Sequence, residues 1–170
     1  MAYAIRQYRD TDADALSGVL RSAIAVIGPR AYSEAQVAAW SARGPTPDRY
    51  RERVNKGAII IIAADANDIP VAYTLLEREP GEGGHLDHLY CHPDHTRQGL
   101  AVQLLLEAEQ HAASLAVQRL YTEASELARP AFERAGYLVT HRRDFEIEGP
   151  AGSLNGPVAI HNYAMEKLLD

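Results

Sequence analysis

The sequence predicts a single α/β domain built around a mixed sheet. Segments with strand and helix patterns alternate along 170 residues in the order β-α-α-β-β-β-α-β-α-β-β. Residues 58–64 form a continuous run rich in β-branched side chains, typical of a strand buried on both faces. Apolar residues make up 46% and charged residues 24%, which indicates a globular chain. At this length we expect one domain spanning residues 1–170.

Two capping patterns predict the starts of the first two helices. Thr11 and Asp14 follow a first strand predicted over residues 2–8. Ser33 and Gln36 repeat the same spacing before the second helix. In such a pair the side chain of the first residue accepts a hydrogen bond from the backbone N–H of the second. The side chain of the second residue accepts one from the backbone N–H of the first.

The remaining elements follow from apolar patterning and turn residues. The strand at residues 58–64 turns through Asn67 and Asp68 into a hairpin partner, and Gly136 ends a helix as its C′ residue. Two further helices are predicted, a short charged one over 48–55 and another over 127–135. Strands are predicted over 71–77, 119–124, 137–147 and 158–167. Loops are predicted over 80–84 and over 149–157, the second of which includes Asn155.

The stretch from His85 to Ala113 predicts a strand, a polar turn and a helix that begins at Gly99. The apolar strand positions are spaced three and then two residues apart, and this broken alternation indicates a β-bulge with unpaired backbone amides. These strand positions are Leu86, Leu89 and Cys91, and the apolar stripe predicted for the helix is Ala101, Leu104, Leu105, Ala108 and Ala112.

The polar turn before this helix has the chemistry of an anion site. The first N–H groups of a helix lack intrahelical acceptors and lie at the positive end of its dipole. Gly99 lets a ligand approach the backbone, and Arg97 adds a positive charge. These features suit a pyrophosphate. An ordinary strand-turn-helix has the same local pattern, and neither a Walker loop nor a Rossmann fingerprint is present.

The turn also resembles the acetyl-CoA signature of the GNAT N-acetyltransferases, which is Gln/Arg-x-x-Gly-x-Gly/Ala. Gly99 and Ala101 match this signature and Thr96 departs from it. The element order resembles the GNAT topology across nearly the whole chain. The resemblance implies a central, mostly antiparallel sheet that splays between two parallel strands, flanked by about four helices.

A second family landmark lies near the C-terminus. Its members carry Asn-x-x-Ala, then Tyr, then Gly-Phe, whereas this chain has Ser and Phe where Asn and Tyr are usual. The helix around Trp40 and the segment ARPAFERAGY are most similar to the YafP-like bacterial subgroup. The residues at the landmark spacings are Ser125, Ala128, Phe132, Gly136 and Tyr137.

The resemblance implies transfer of an acetyl group from acetyl-CoA to a primary amine of a small molecule or peptide, by direct attack in a ternary complex. Ser125 and Phe132 would flank the arm and the sulfur of the cosubstrate. The main chain of Leu89, Tyr90 and Cys91 would hold the pantetheine arm, and Thr96, Arg97, Gln98, Gly99, Leu100 and Ala101 would hold the pyrophosphate.

The reaction needs a group that takes a proton from the attacking ammonium. The candidates are Asp87, His88 and Glu123, with His85 as a fourth. Phe132 cannot protonate the leaving thiolate as the usual tyrosine does. Either another tyrosine does so, or the thiolate leaves unprotonated, because a free thiol has a pKa of only about 8.5. The tyrosines considered are Tyr90, Tyr137 and Tyr163.

Composition restricts the partners. A net charge of −6 argues against nucleic acid and favours a neutral or cationic acceptor. The single cysteine cannot form an internal disulfide, so we expect a reducing compartment. No signal peptide or membrane-spanning run is predicted, and we therefore expect a cytoplasmic protein that does not bind a membrane. The resemblance to the YafP-like subgroup implies a bacterial protein. Many GNAT proteins are dimers, so a homodimer remains open.

Two other functions remain open. Ser125 and Phe132 depart from the residues usual in the family, which supports a second hypothesis, an acyl-CoA-binding module with little or no turnover. Four histidines close together in the sequence support a third hypothesis, a metal-binding protein. Their spacing on a strand and a turn does not direct the side chains to one point, so we expect no metal. Cys91 could carry an acyl group, but a lone cysteine in an apolar strand is more often part of the core. The four histidines are His85, His88, His92 and His95.

Overall fold

A computed structural model describes residues 2–81, 83–152 and 156–169. Within them, seven strands form one mixed sheet in the order β1-β2-β3-β4-β5-β7-β6. The β4–β5 pair is parallel and the other pairs are antiparallel. The strands are β1 (Ala4–Gln7), β2 (Ile59–Ala64), β3 (Pro70–Arg78), β4 (Gly83–Cys91), β5 (Arg119–Ala124), β6 (Leu138–Ile147) and β7 (Val158–Leu168).

Five α-helices cover the described sheet, one more than the four or so implied by the resemblance. The short charged helix is present as α3. No described helix is long and apolar enough to cross a membrane. The helices are α1 (Ala13–Ile27), α2 (Glu34–Ala42), α3 (Pro47–Asn55), α4 (Leu100–Ser114) and α5 (Arg129–Arg134).

Strand β2 is buried on both faces, as its β-branched run predicts. Ile60 and Ile62 pack with α1 and α3, and Ile61 packs on the opposite face with α4. The apolar stripe of α4 differs by one residue from the prediction, because Leu100 is buried and Ala101 is only half-buried. Leu100 shares a face with Leu104, whereas Ala101 lies about 100° further around the helix.

The predicted Thr11–Asp14 cap is wrong, whereas the Ser33–Gln36 cap is confirmed. Residues 10–12 form a 3-10 turn, and Asp12 accepts a hydrogen bond from the Arg9 N–H at 2.7 Å. Asp12 is buried because it also pairs with Arg6, while Asp14 stays in solvent. At α2, Ser33 accepts from the Gln36 N–H at 3.3 Å and Gln36 accepts from the Ser33 N–H at 2.9 Å.

The predicted bulge in β4 is confirmed at Asp87. Leu75 lies opposite His88 and Leu76 lies opposite Leu86, so Asp87 is the extra residue. On its other edge, β4 pairs with β5 only as far as His85. The two strands then diverge, and we call this opening the fork.

The C-terminal hairpin β6–β7 packs against α2 on one side of the fork. Ile147 and Ile160 form a small apolar cluster with Tyr32 and Ala39. The loop predicted between the two strands includes Asn155, and residues 153–155 lie outside the described residues. Gly83 and Gly84, predicted within a loop, begin β4 instead because they pair with β5.

Candidate active site

The fork opens into a cleft of about 770 Å³, a size typical of small-molecule sites. Strands β4 and β5 form its floor. Helices α2 and α3 form one wall, and the β6–β7 hairpin forms the other. Thr122 closes the narrow end of the fork, where its hydroxyl donates to the Leu86 carbonyl at 2.7 Å.

The turn between β4 and α4 presents an exposed row of backbone donors. In the described structure, the N–H groups of residues 97–102 donate to no acceptor. Arg97 and Gly99 have φ values of 61° and 76°, in the left-handed region. Such a turn directs successive N–H groups into a concave anion site. A Cβ placed on Gly99 would meet only the Gln103 amide at 3.9 Å, so the site is open to a ligand.

Four of the predicted cosubstrate residues meet in the cleft. Leu89 and Tyr90 line it from β4, and Ser125 and Phe132 line it from the opposite side. Beyond His85, β4 pairs with β3 alone, so its edge facing the fork is open to a ligand that carries amide groups.

Cys91 differs from these four residues because it packs against the core. Its thiol lies 3.5 Å from the His92 carbonyl oxygen, and burial raises its pKa to about 11. The thiolate is the nucleophilic form of cysteine. The thiol is therefore poorly suited to carry an acyl group at neutral pH.

Asp87 is held by a cation in the cleft. Its Oδ2 lies 2.6 Å from Nη2 of Arg53, and Arg53 also pairs with Glu77 at 2.8 Å. Burial favours the neutral acid, but His88 and Arg53 outweigh burial and hold the pKa of Asp87 well below its usual range. A carboxylate with so low a pKa is a poor proton acceptor.

His88 is engaged through both ring nitrogens. Nδ1 lies 3.2 Å from the Tyr73 hydroxyl, and Nε2 lies 3.2 Å from Oδ2 of Asp87. The buried Tyr50 hydroxyl lies 2.5 Å from that of Tyr73 and extends the chain into the core. In a neutral imidazole, Nε2–H donates to the carboxylate and Nδ1 accepts from Tyr73. The ring is therefore placed to hold Asp87 at the bulge.

His85 and Glu123 form a pair across the fork. Nε2 of His85 lies 2.6 Å from Oε2 of Glu123, and the ring stacks on Tyr121 at 4.6 Å. Burial lowers the pKa of His85, but Glu123 outweighs it and the net pKa is raised. His85 lowers the pKa of Glu123 against burial, with help from Arg143. Glu123 lines the cleft, so the pair can reach an acceptor from there.

Comparison with known proteins identifies the family. The model of the acetyltransferase (GNAT) domain matches residues 29–150. This chain belongs to the GNAT acetyltransferase family. It is 27% identical over 146 residues to the uncharacterized N-acetyltransferase YafP of Escherichia coli K12, covering 85% of this chain and 87% of YafP. The predicted resemblance to the family and to its YafP-like members is confirmed.

Solved GNAT structures share the fold over nearly the whole chain. A GCN5-related N-acetyltransferase from Rhodopseudomonas palustris superposes with a TM-score of 0.81 and 27% identity, covering 99% of this chain and 97% of that one. The PaiA N-acetyltransferase of Thermoplasma acidophilum, solved with coenzyme A, has a TM-score of 0.74, 20% identity and 99% coverage of both chains. The predicted fold class is confirmed, and the protein is an N-acetyltransferase of the acetyl-CoA-dependent GNAT class.

The tyrosines proposed to replace the usual GNAT acid occupy different places. Tyr90 lines the cleft and contacts Trp40. Tyr137 is buried behind Phe132, with ring centroids 5.2 Å apart. The Tyr163 hydroxyl donates to Glu126 at 2.7 Å. Of these three, only Tyr90 lines the cleft.

The histidines of this GNAT chain do not gather into a metal site. Among the residues that the structure describes, no three His, Cys, Asp or Glu side chains come close enough to hold a metal ion. His92 accepts from the Asp94 N–H at 3.3 Å, and Nδ1 of His95 lies 3.0 Å from the Tyr3 hydroxyl. Each of these histidines thus has a local partner.

Sequence reasoning missed Arg53 and Thr122. Arg53 lies on a charged helix that also carries Arg49 and Arg51, so composition does not distinguish it. Thr122 is one of two threonines buried in the sheet, and its partner Leu86 is 36 residues away in the chain. Neither residue belongs to a local motif, so only the folded arrangement identifies them.

Proposed function

We propose that this GNAT protein acetylates a primary amine in a ternary complex and that the Glu123–His85 pair accepts the proton of the amine. The single observation that carries this proposal is the 2.6 Å contact between the two side chains at the narrow end of the cleft. Family membership supports the acetyl transfer itself, and the arrangement of the cleft supports the roles below.

The turn at residues 96–101 is our proposed seat for the diphosphate of acetyl-CoA. Its unpaired N–H groups and the exposed Gly99 fit an anion of that shape. The open edge of β4 at Leu89 and Tyr90 would hold the pantetheine arm by main-chain pairing. Ser125 and Phe132 would flank the arm. Acetyl-CoA supplies the acetyl group as a reactive thioester.

Glu123 and His85 act together as the proposed base. An acceptor amine is an ammonium ion near neutral pH and cannot attack until it loses a proton. With His85 neutral and Glu123 ionised, the pair takes up one proton as a unit and becomes an imidazolium beside a carboxylate. Its raised pKa, relative to free imidazole, matches the pair to this task near neutral pH.

Asp87 and His88 have supporting roles in this proposal. The lowered pKa of Asp87 keeps its carboxylate ionised beside Arg53, so it can attract an ammonium without taking its proton. His88 holds the carboxylate in position. We therefore assign proton removal to Glu123 and His85, and positioning to Asp87 and His88.

The leaving sulfur departs as a thiolate in our proposal. Phe132 has no acidic hydrogen, and Tyr137 and Tyr163 do not line the cleft. Tyr90 lines it, but burial raises the pKa of its hydroxyl and makes it a weaker acid. A thiol pKa of about 8.5 makes the thiolate an acceptable leaving group without a tyrosine acid.

A second candidate function is binding of acyl-CoA without turnover. The observation that favours it is Phe132, which lines the cleft and stands where the family resemblance implies a catalytic tyrosine in many members. The same diphosphate seat would serve this function. The two candidates differ only in whether an acetylated product forms.

The test is acetyl transfer by the purified 170-residue chain. Acetyl-CoA is supplied with a panel of primary amines, free thiol is followed with a thiol-reactive dye, and products are identified by mass spectrometry. We expect thiol release above the amine-free background together with an acetylated amine. Tight acetyl-CoA binding in calorimetry without product from any amine would favour the binding module instead.

We also propose that the chain works in the reducing cytoplasm of a bacterium. Cys91, the one cysteine, is a free thiol. The related YafP is a bacterial protein, and both facts support this location.

A further inference from the structure

We propose that the acceptor is an amine that also carries a carboxylate, as an amino acid does. This inference rests on the proposed function, because it assigns the second substrate of the same cleft. It comes from the distribution of charge along the cleft walls, which differs from the charge of the whole chain.

The α2–α3 wall of the cleft is cationic. Arg43, at the end of α2, lines the cleft and forms no ion pair among the described residues. Nη1 of Arg49 lies 3.5 Å from Oε2 of Glu52, and Nζ of Lys56 lies 2.5 Å from Oε1 of the same carboxylate. Two of these three cations therefore share one carboxylate, and the guanidinium groups of Arg43 and Arg49 remain available to an anionic ligand.

The opposite wall adds a third guanidinium and an amide. Arg143 on β6 lies opposite Asn162 on β7, and both residues line the cleft. Arg143 reaches Glu123 only loosely, at 3.5 Å between Nη1 and Oε1. The buried Oδ1 atom of Asn162 has no hydrogen-bond partner in the described part of the chain. These groups can bind the polar end of a small acceptor from the second side.

The acidic residues of the cleft are already compensated. Glu77 and Asp87 share Arg53, and Glu123 is paired with His85. The lining as a whole contains five Lys or Arg residues and three Asp or Glu residues, in a chain whose net charge is −6. This local excess is the reverse of what the net charge predicts for the acceptor.

The pantetheine arm does not account for the excess charge. The arm is uncharged, and the proposed diphosphate seat at residues 96–101 does not line this cleft. An acceptor with an ammonium near Glu123 and a carboxylate near Arg43 or Arg49 would place each of its charges beside a residue of opposite charge. An acceptor with amino groups alone would leave the arginines without a counter-ion.

Matched pairs of acceptors test this assignment. We would compare glycine with methylamine, phenylalanine with 2-phenylethylamine, and tryptophan with tryptamine, because each pair differs only in the carboxylate. The structure predicts kcat/KM values about tenfold or more higher for the amino acid, the effect of one charge-assisted hydrogen bond. Trp40 and Tyr90 in the cleft make the two aromatic pairs the most informative.

Arginine variants locate the preference. Arg43→Gln and Arg49→Gln should each reduce the preference for the amino acid severalfold without changing acetyl-CoA affinity. Arg30→Gln is the matched control, because Arg30 is exposed, has no ion pair in the described structure and does not line the cleft. It should keep the full preference. A preference that survives both cleft substitutions would overturn the assignment.

A binding experiment separates this inference from the proposed function. The CoA-loaded chain is titrated calorimetrically with the same pairs. Preferential binding of amino acids without acetylation of any amine would refute the catalytic proposal and support the acceptor class. Acetylation in which the decarboxylated amines are used equally well or better would support the catalytic proposal and refute the acceptor class. If no member of any pair binds or is acetylated, the acceptor class is overturned.

Discussion

His85 and Glu123 join β4 and β5 at the position where the two strands stop pairing. His85 is the last β4 residue in the parallel ladder, and Glu123 lies two residues beyond its partner Tyr121. Their 2.6 Å contact places a shared hydrogen bond at the apex of the fork. The divergence that opens the cleft therefore also presents to it the pair that we propose as the proton acceptor.

The first prediction concerns the pH dependence of catalysis. The pair accepts a proton only when His85 is neutral, and its pKa is raised above 6.5. The kcat value measured at saturating acceptor should therefore fall as the pH drops through that raised pKa. Glu123→Gln should lower kcat by about 10² or more while leaving acetyl-CoA affinity unchanged.

His85→Gln distinguishes a working pair from a structural contact. Without His85 the remaining base is the Glu123 carboxylate, which is a weaker base than an imidazole. The acidic limb of the kcat profile should move to lower pH, and its plateau should fall because the base is weaker. A profile whose midpoint stays in place in this variant would show that the pair does not accept the proton.

The second prediction tests the diphosphate seat with two glycines. Gly99→Glu introduces bulk and negative charge at a left-handed position with φ of 76°. We expect acetyl-CoA affinity to fall by at least about tenfold in calorimetry. Gly57→Glu is the control, because Gly57 is also left-handed, at 99°, its side chain would meet open space, and it does not belong to the turn at residues 96–101.

Both glycine variants should lose a similar amount of stability, about 1–2 kcal/mol, because a side chain is disfavoured in the left-handed region. Thermal unfolding measures that loss. Equal acetyl-CoA affinity in the two variants would show that the turn is not part of the binding site.

The third prediction concerns the Asp87–Arg53 pair and acid stability. The pKa of Asp87 is depressed, so its stabilising effect is present above the ordinary value of 3.8 and is lost as the pH falls. Asp87→Asn should lower the free energy of unfolding by about 1–2 kcal/mol at pH 7. Below about pH 4 the difference from the wild type should shrink.

Urea unfolding at several pH values measures this effect. Asp14→Asn is the matched control, because Asp14 is 79% exposed and lies 3.3 Å from Arg51. Its effect should stay within about 0.5 kcal/mol. A difference between wild type and Asp87→Asn that persists undiminished at pH 2 to 3 would show that the carboxylate charge is not its source.

The fourth prediction concerns the leaving group. Tyr90→Phe removes the one tyrosine hydroxyl, among the three considered, that lines the cleft, and it keeps the ring that stacks on Tyr73. We expect kcat to fall less than about fivefold, well below the 10² to 10⁴ effect of losing a general acid. A loss of 10² or more, together with loss of the alkaline limb of the pH profile, would identify Tyr90 as the acid.

Local patterns predicted most of the fold. The β-branched run of β2, the Ser33–Gln36 cap and the broken alternation of β4 each reflect physics within a few residues. The Thr11–Asp14 cap failed because Asp12 forms an ion pair with Arg6, a contact that local spacing does not encode.

The candidate site was only partly predictable from the sequence. The turn at Gly99 has a local signature, whereas the roles of the acids depend on contacts between distant segments. Glu123 meets His85 across 38 residues, and Arg53 meets Asp87 across 34. Such contacts decide which of Asp87, His88 and Glu123 can accept a proton, and no spacing rule reveals them.

A crystal structure of the chain with bound CoA tests the central claim most directly. We expect diphosphate oxygens within about 3 Å of the N–H groups of residues 97–101. We also expect the sulfur to lie in the fork beside Phe132, with Glu123 facing the acceptor side of the cleft. A diphosphate bound elsewhere, with the N–H groups around Gly99 facing solvent, would contradict the proposed binding site.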